Sequence, residues 1–350
     1  MGTNNSLPTK SRRKAVLQRK RTPMIALSPA LSALPALLAA AVASICLILL
    51  KSPGRLPTAH PNVRSLHHRP VPQGGGLAVW SGWLLATVWL AAPQPWLAPL
   101  LLIIVVSFWD DRYGVPAWTR LLIQTIAAGA WIWLSEAPLD PFAAVVAIVW
   151  MANLFNFMDG SDGLAVAMAL IGFGAYAIAG SMAGAGDAPI LWALVAAIAP
   201  CLVMNFPPAK LFMGDVGAVP LGFIAATFGM SGWYGGTWPG WFPLLVFLPF
   251  IADASVTLVL RLLHGAKIWE AHREHFYQKL VQLGFGHRGT LVLYGALMMG
   301  TASSALLALV RAPSSGPALL ALWSTVMVLL FGAIGYYWRT RDEGFNESKY

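Results

Sequence analysis

The sequence predicts an all-α polytopic membrane protein of about eleven transmembrane helices with a catalytic cleft on the cytoplasmic face. Three observations predict it. Of the 350 residues, 57% are hydrophobic and only 11% are charged. The apolar residues come in runs of around twenty, the length a helix needs to cross a hydrocarbon core. The loops between the runs carry their basic residues almost wholly on alternate connections, the pattern of a chain whose positive loops stay in the cytoplasm. Backbone polar groups in lipid must be satisfied within the segment, which leaves helices for runs of this kind.

The expected spans are 25–50, 75–93, 96–109, 119–135, 141–158, 163–182, 188–206, 218–233, 241–263, 290–310 and 316–338. Pro- and Gly-containing connections such as APQPW punctuate them. Residues 1–24 read as a basic tail expected to be disordered, 25–338 as one integral membrane domain, and 339–350 as a cytoplasmic tail. Cys46 and Cys201 fall inside apolar spans and read as small core residues. No segment has the layout of a cleavable secretory signal.

Alternating the loops places Lys51, Arg55, Arg64, Arg69, Arg112, Arg120, Lys210, Arg261, Lys267, Arg273, Lys279 and Arg288 on one face and Arg311 alone on the other. Twelve against one makes the first face cytoplasmic. The formal net charge of +9 therefore points to anionic headgroups and cytoplasmic loops, not to nucleic acid. The N-terminal cluster from Lys10 to Arg21 runs against this orientation. Either the first segment does not cross, or the internal loops override the tail, or the start lies further along, for example at Met24.

The same face gathers the groups that carry chemistry. Asp110 and Asp111 end the third span in SFWDDR; Asp159 and Asp162 follow the fifth in NLFNFMDGSDGLA; Asp215 opens the eighth in KLFMGDVG. Carboxylates at membrane borders in so apolar a chain mark a site. Paired acids favour a divalent cation or a shared proton. Asn153, Asn156, Asp159 and Asp162 recur every three residues, a polar stripe on a slowly turning helix side. Capping of the helix that follows is the plain alternative for Asp215, and Lys210 offers a phosphate partner. Asp253 lies within the ninth span, where a buried partner competes with a direct role. KIWEAHREHFYQKL reads as an amphipathic cytoplasmic helix with His272 and His275 on one side, suited to phosphate contact or proton transfer and lacking zinc-site spacing. Gly74, Gly75 and Gly76, after basic residues, allow close backbone contact with phosphate, or simply a flexible helix start.

Taken together, NLFNFMDGSDGLA, NFPPAKLFMGDVG and AHREHFYQKL, with DDRYGVPAWTRLLIQ and PNVRSLHHRPVPQGGG, resemble the polyprenyl-phosphate N-acetylhexosamine-1-phosphate transferases, or glycosyltransferase family 4. The likeness runs from about Pro61 to Arg288, and its histidine motif is most similar to the bacterial branch that starts O-antigen and other surface polysaccharides. The resemblance implies magnesium-dependent transfer (with manganese as a substitute) of a sugar 1-phosphate from a UDP-N-acetylhexosamine to undecaprenyl phosphate, releasing UMP. It implies a multi-pass enzyme of the bacterial inner membrane, embedded in membrane lipid, and admits a homodimer. It implies Asp215 as the main metal ligand with Asp111 beside it, and Asp110 and Asp111 near the lipid phosphate. Asn153, Asn156, Asp159 and Asp162 would line the nucleotide pocket, with Lys210 and Gly75 beside the substrate phosphates and His272 and His275 near the diphosphate or sugar. Three positions depart from the family pattern: Ala59, Gln73 where an Arg precedes the glycines, and Ala218 after GDVG.

The chemistry fits these residues. Lipid phosphate attacks the phosphorus that bears the sugar, and a cation offsets the repulsion between anions. A two-step route through an aspartyl-phosphate stays open. Two other functions compete. The phospho-N-acetylmuramoyl-pentapeptide transferase of peptidoglycan synthesis has a triple-histidine run where this chain has AHREHFYQKL. A secondary transporter would hold its binding groups at mid-membrane, where only Asp253 lies.

Overall fold

The computed structural model describes residues 29–50, 52, 54, 56–59, 61, 66, 67, 69–90, 94–267 and 272–347. The expected tail 1–24, together with Lys51, Arg55, His60, Arg64, His68 and Glu270, lies outside them. The chain divides into a unit of residues 1–34, of which only the start of one helix is described, and a unit of residues 35–350 that holds everything below.

The chain is helical almost throughout. In order it forms α1 (Pro29–Leu50), a two-stranded ribbon of β1 (Thr58–Ala59) and β2 (Val71–Pro72), α2 (Gly76–Trp89), α3 (Leu97–Tyr113), α4 (Ala117–Ser135), α5 (Pro141–Met158), α6 (Leu164–Met182) and α7 (Ala188–Asn205). Then come α8 (Asp215–Tyr234), α9 (Trp241–Val246), α10 (Leu248–Leu263), α11 (Phe276–Leu280), α12 (Gly286–Arg311) and α13 (Gly316–Glu347). Every expected span falls on a helix, or on the pair α9–α10 where the ninth breaks at Phe247. Among the described residues, seven helical stretches are long and apolar enough to cross a membrane. Their outer faces suit lipid: Trp133 and Phe142 are 79% exposed. This is an all-α, multi-pass membrane protein.

Helix ends differ from expectation for local reasons. Helix α5 starts at Pro141 because the Asp140 carboxylate accepts the Ala143 N–H at 2.8 Å, with proline preset at the first helical position. Helix α8 starts at Asp215, three residues before the expected 218, and α11 starts only at Phe276, so His272 and His275 stand on a non-helical turn and not on an amphipathic helix. Both starts are set by carboxylates from other helices, described below. At the C-terminus, helix α13 runs on to Glu347 instead of ending at 338.

Packing brings the acid-bearing ends together. Helix α8 lies along both α5 and α3. Gly222 on α8 lets its backbone touch the Met151 carbonyl of α5. A Cβ on Gly76 would strike the Gly217 backbone, so α2 and α8 meet main chain to main chain. Buried aromatic groups fill the space behind. The Trp80 indole donates to the Val216 carbonyl at 2.7 Å, the Trp83 indole to the Ile190 carbonyl at 2.8 Å, and Trp83 stacks on Trp96 with centroids 4.7 Å apart. A buried indole N–H needs such an acceptor.

Candidate active site

A cavity of about 1090 Å³ opens among α4, α5, α8, the residues Ala59, Leu66, His67 and Gln73 in and beside the β1–β2 ribbon, and the 272–287 segment. Asn153, Asn156, Asp159, Gly160, Asp162, Asp215, His272 and His275 line it, so most of the candidate residues converge, although more than a hundred positions separate the first from the last. Gly75, Asp110, Asp111 and Lys210 do not line it.

The floor is built by helix ends. Asp111, in the last turn of α3, accepts the Asp215 and Val216 N–H groups at 2.9 Å each, and the Gln73 amide also donates to it. The first N–H groups of a helix lack partners inside it. A carboxylate supplied across 104 residues satisfies two of them and complements the positive end of α8. The cap lets α8 begin at Asp215, which aims that side chain into the cavity. Gly214 makes room: its φ is 77°, and a Cβ there would sit 2.6 Å from Asp111 Oδ2. Gln73, one of the departures from the family pattern, thus binds Asp111.

Asp110 is held just as firmly. One oxygen accepts the Val115 N–H at 2.7 Å; the other takes Arg120 Nη1 at 2.7 Å. The same Nη1 lies 3.3 Å from Asp215 Oδ2, so Arg120 bridges the two acids. In the sequence Arg120 stands out only as one of the basic residues of the cytoplasmic face. Its signal is its place in the first turn of α4, the helix that follows the paired acids.

Asp159 differs from both. It ends α5, and among the described residues nothing donates a hydrogen bond to its carboxyl group. Burial raises its proton affinity well above the ordinary carboxylate range, and the charges of Asp215, Asp111 and Asp162 push it further. Asp162 is tied down: Oδ2 accepts the Ala209 N–H at 2.9 Å, and Oδ1 lies 3.7 Å from His287 Nδ1. That ring nitrogen also faces the Asp162 N–H at 3.2 Å and Ser161 Oγ at 3.0 Å. No motif singles out His287 in the sequence; its role follows from this packing against Asp162. Asn153 donates to Gln124 Oε1 at 2.6 Å and to the Val149 carbonyl at 2.8 Å, linking α4 to α5. Buried Asn205 holds the loop after α7 by accepting the Gly163 N–H and donating to the Leu211 carbonyl, each at 2.9 Å.

The glycine run has a different task from phosphate contact. The N–H groups of Gly74 and Gly75 go to the Phe212 carbonyl at 3.1 and 2.9 Å, and that of Gly76 goes to Met213 at 3.0 Å. The run needs its small size for close packing against residues 211–217. Lys210 is exposed, and its backbone N–H bonds the Met204 carbonyl at 2.8 Å.

Across the cavity, His272 and His275 have ring centroids 4.9 Å apart, and His275 stacks on Phe157 at 6.0 Å. Burial lowers His272 to about 4, helped by the charges of His275, Arg261 and Lys279, so the ring is neutral near neutral pH. Asp253 is fully buried behind this segment and does not line the cavity. The upper wall is apolar: Leu121, Val145, Val146, Val149 and Trp150 extend the cavity along α4 and α5.

The donor set bears on the implied metal. Among the described residues, no group of three His, Cys, Asp or Glu side chains converges as a ready-made protein cage would. Asp159 and Asp215 supply oxygen donors alone. That fits magnesium, which is commonly held by one or two carboxylates plus substrate phosphates, and it does not fit zinc.

The cavity joins an acidic floor, with Arg120 and histidines around it, to an apolar extension, and it is built from helices of a multi-pass membrane protein. Comparisons with known proteins narrow the class. The glycosyl transferase family 4 model matches residues 94–232. The chain is 27% identical over 263 residues to a probable undecaprenyl-phosphate N-acetylglucosaminyl 1-phosphate transferase of Bacillus subtilis, covering 67% of this chain and 72% of that one. It is 28% identical over 287 residues to the undecaprenyl-phosphate alpha-N-acetylglucosaminyl 1-phosphate transferase of Yersinia pestis, covering 71% and 74%. It is also 30% identical over 190 residues to a phospho-N-acetylmuramoyl-pentapeptide-transferase of Lactiplantibacillus plantarum, covering 43% and 58%. By the family model and by these relatives, the chain is similar to the polyprenyl-phosphate N-acetylglucosamine-1-phosphate transferases of glycosyl transferase family 4.

Proposed function

We propose that the protein transfers an N-acetylhexosamine 1-phosphate from a UDP-sugar to undecaprenyl phosphate at the cytoplasmic face of the bacterial inner membrane, releasing UMP and starting a surface polysaccharide such as an O-antigen. The observation that carries this is the two-part cavity. Its acidic, Arg120-braced floor suits a diphosphate with a cation, and its apolar wall along α4 and α5 suits a polyprenyl chain.

An oxygen of the lipid phosphate attacks the phosphorus that carries the sugar. The new P–O bond forms as the bond to UMP breaks, and the electron pair leaves with the UMP oxygen. Asp159 and Asp215 would hold magnesium, which when bound offsets the negative charge of the two reactants. Arg120 is placed to clamp phosphate oxygens once released from Asp215. Asp111 serves by placing Asp215. The oxygens of Asp110 and Asp111 are already taken, so neither is a free nucleophile. The route proposed is a single displacement, which inverts a chiral phosphorus; retention would refute it and point to an aspartyl-phosphate on Asp159, whose carboxyl group has no donor among the described residues. Neutral His272 is suited to donate a hydrogen bond to the diphosphate or sugar.

The deciding experiment is UMP release by purified protein with magnesium, undecaprenyl phosphate and a panel of UDP-sugars. Lipid-dependent release, abolished by EDTA and by Asp215→Asn, is the expected result. Release without lipid phosphate would refute the acceptor. Turnover only with a UDP-muramoyl-pentapeptide would reassign the chain to peptidoglycan synthesis, as the Lactiplantibacillus relative is named.

A further inference from the structure

Asp253 lies in the middle of α10 and is 0% exposed, a costly place for a carboxyl group. It is surrounded by donors. Oδ1 accepts the Phe276 N–H at 3.0 Å and Thr257 Oγ1 at 3.3 Å; Oδ2 accepts the Tyr277 N–H at 2.9 Å and the Tyr294 hydroxyl. His275 Nδ1 stands 3.4 Å from Oδ1. These donors come from the carboxylate's own helix, from the turn that starts α11 and from α12. Asp253 is therefore where three segments of the chain are pinned together.

The pinned turn is the one that faces substrate. His275 and Tyr277 line the cavity on either side of Phe276. The Tyr277 hydroxyl donates at 2.9 Å to the carbonyl of Phe157, two residues before Asp159. Its ring stacks on His275 with centroids 5.8 Å apart. Gly160 leaves room for this hydroxyl, which a Cβ would strike. A continuous path thus runs from the Asp253 carboxylate through two backbone N–H groups and the Tyr277 side chain to the end of α5 that presents Asp159.

We infer that Asp253 is a positioning residue of the reaction: by clamping the Phe276 and Tyr277 N–H groups it sets His275 and Tyr277 against Asp159, and so fixes the histidine wall relative to the acidic floor. This deepens the proposed function and rests on it for its kinetic readout. A displaced wall would leave substrate binding nearly intact and slow the chemical step, since misplacement by about 1 Å is enough to cost about a hundredfold in rate.

The test uses full-length protein in detergent with UDP-sugar, magnesium and undecaprenyl phosphate. Asp253→Asn is expected to lower kcat about tenfold or more while moving either KM by less than about threefold. Tyr277→Phe, which cuts the tie to Phe157, is expected to lower kcat as well, and the double variant to be no worse than the slower single variant. Multiplied losses would mean independent roles and overturn the inference. Hydrogen exchange supplies a readout independent of activity. In Asp253→Asn the amides of residues 276 and 277 should exchange about tenfold faster or more, while those of residues 215 and 216 stay unchanged. Uniformly faster exchange, with activity falling only as the folded fraction falls, would show a purely structural acid and overturn the inference. If Asp253→Asn does not fold, Tyr294→Phe removes one donor and should give the same local pattern at smaller size; no change in exchange or kcat there would overturn it. If the wild-type protein turns over no UDP-sugar, the functional reading falls, and the exchange arm still decides whether Asp253 holds the turn.

Discussion

The floor and the histidine wall of the cavity are built with the same device and to different ends. In each, a carboxylate from one helix takes two consecutive N–H groups at the start of another: Asp111 those of Asp215 and Val216, Asp253 those of Phe276 and Tyr277. On the floor the clamp presents a further acid, next to Arg120 and within the field of Asp159. At the wall it presents aromatic and imidazole rings; in neither place does the clamping acid itself line the cavity. An acid in an apolar chain can therefore hold the scaffold of a site without touching the chemistry, and burial alone does not tell the two kinds apart.

Substitutions can break this parallel, the most damaging on the floor. Asp111→Ala leaves the Asp215 and Val216 N–H groups and the Gln73 amide without their acceptor. A loss of about 1–3 kcal/mol is expected for a buried group left unsatisfied, together with near-complete loss of UMP release because Asp215 is misplaced. Thermal unfolding in detergent beside the release assay checks both; wild-type turnover would dissociate Asp111 from Asp215. Next is Arg120→Lys, which keeps the charge but loses the fork that spans Asp110 and Asp215. About a tenfold fall in kcat/KM is expected, with stability within about 1 kcal/mol, as for a partly exposed pair. Gly160→Ala tests the wall. The added methyl collides with the Tyr277 hydroxyl, so kcat should fall several-fold while Tyr277→Phe, which removes that hydroxyl, restores part of it in the double variant. No recovery in the pair would argue against the steric account.

The smallest effect concerns pH. His272 has its folded pKa lowered from 6.5 to about 4. Between those values the unfolded chain binds more protons than the folded one, so acid stabilises the unfolded state and stability falls as pH drops from about 6.5 towards 4. His272→Gln should flatten part of that slope in melting temperatures taken between pH 7 and 5. An unchanged slope would mean that another group carries it.

Much of this organisation is legible in the sequence, and the limits have physical causes. Apolar run length marks the helices because lipid leaves the backbone no other option. The aspartates stand out because charge is scarce. What sequence could not show is which acid faces which partner. Asp111 reads as a metal ligand beside Asp110, yet its lone pairs go to amides 104 residues away. Asp253 left a buried partner and a direct role open, and it proves to have four donors. The glycines at 74–76 permit close approach, but nothing local says whether phosphate or a neighbouring backbone approaches. Lys210 sits beside the right motif and turns outward, since the loop is fixed by Asn205 and by its own backbone. Arg120 is visible only as a member of a charge pattern and His287 in no motif at all, because the acids they meet come from other segments of the chain.

The contact of Gly76 with Gly217 has a mechanical consequence. Two main chains that touch with no side chain between them form a joint that has no rotamers to switch and no soft filler to compress. Helices α2 and α8 therefore shift together or not at all, and the glycine pair acts as a weld beneath the acids. Any give in the cavity falls to the opposite side, where His275 and Tyr277 are held by hydrogen bonds and stacked rings and not by touching main chains.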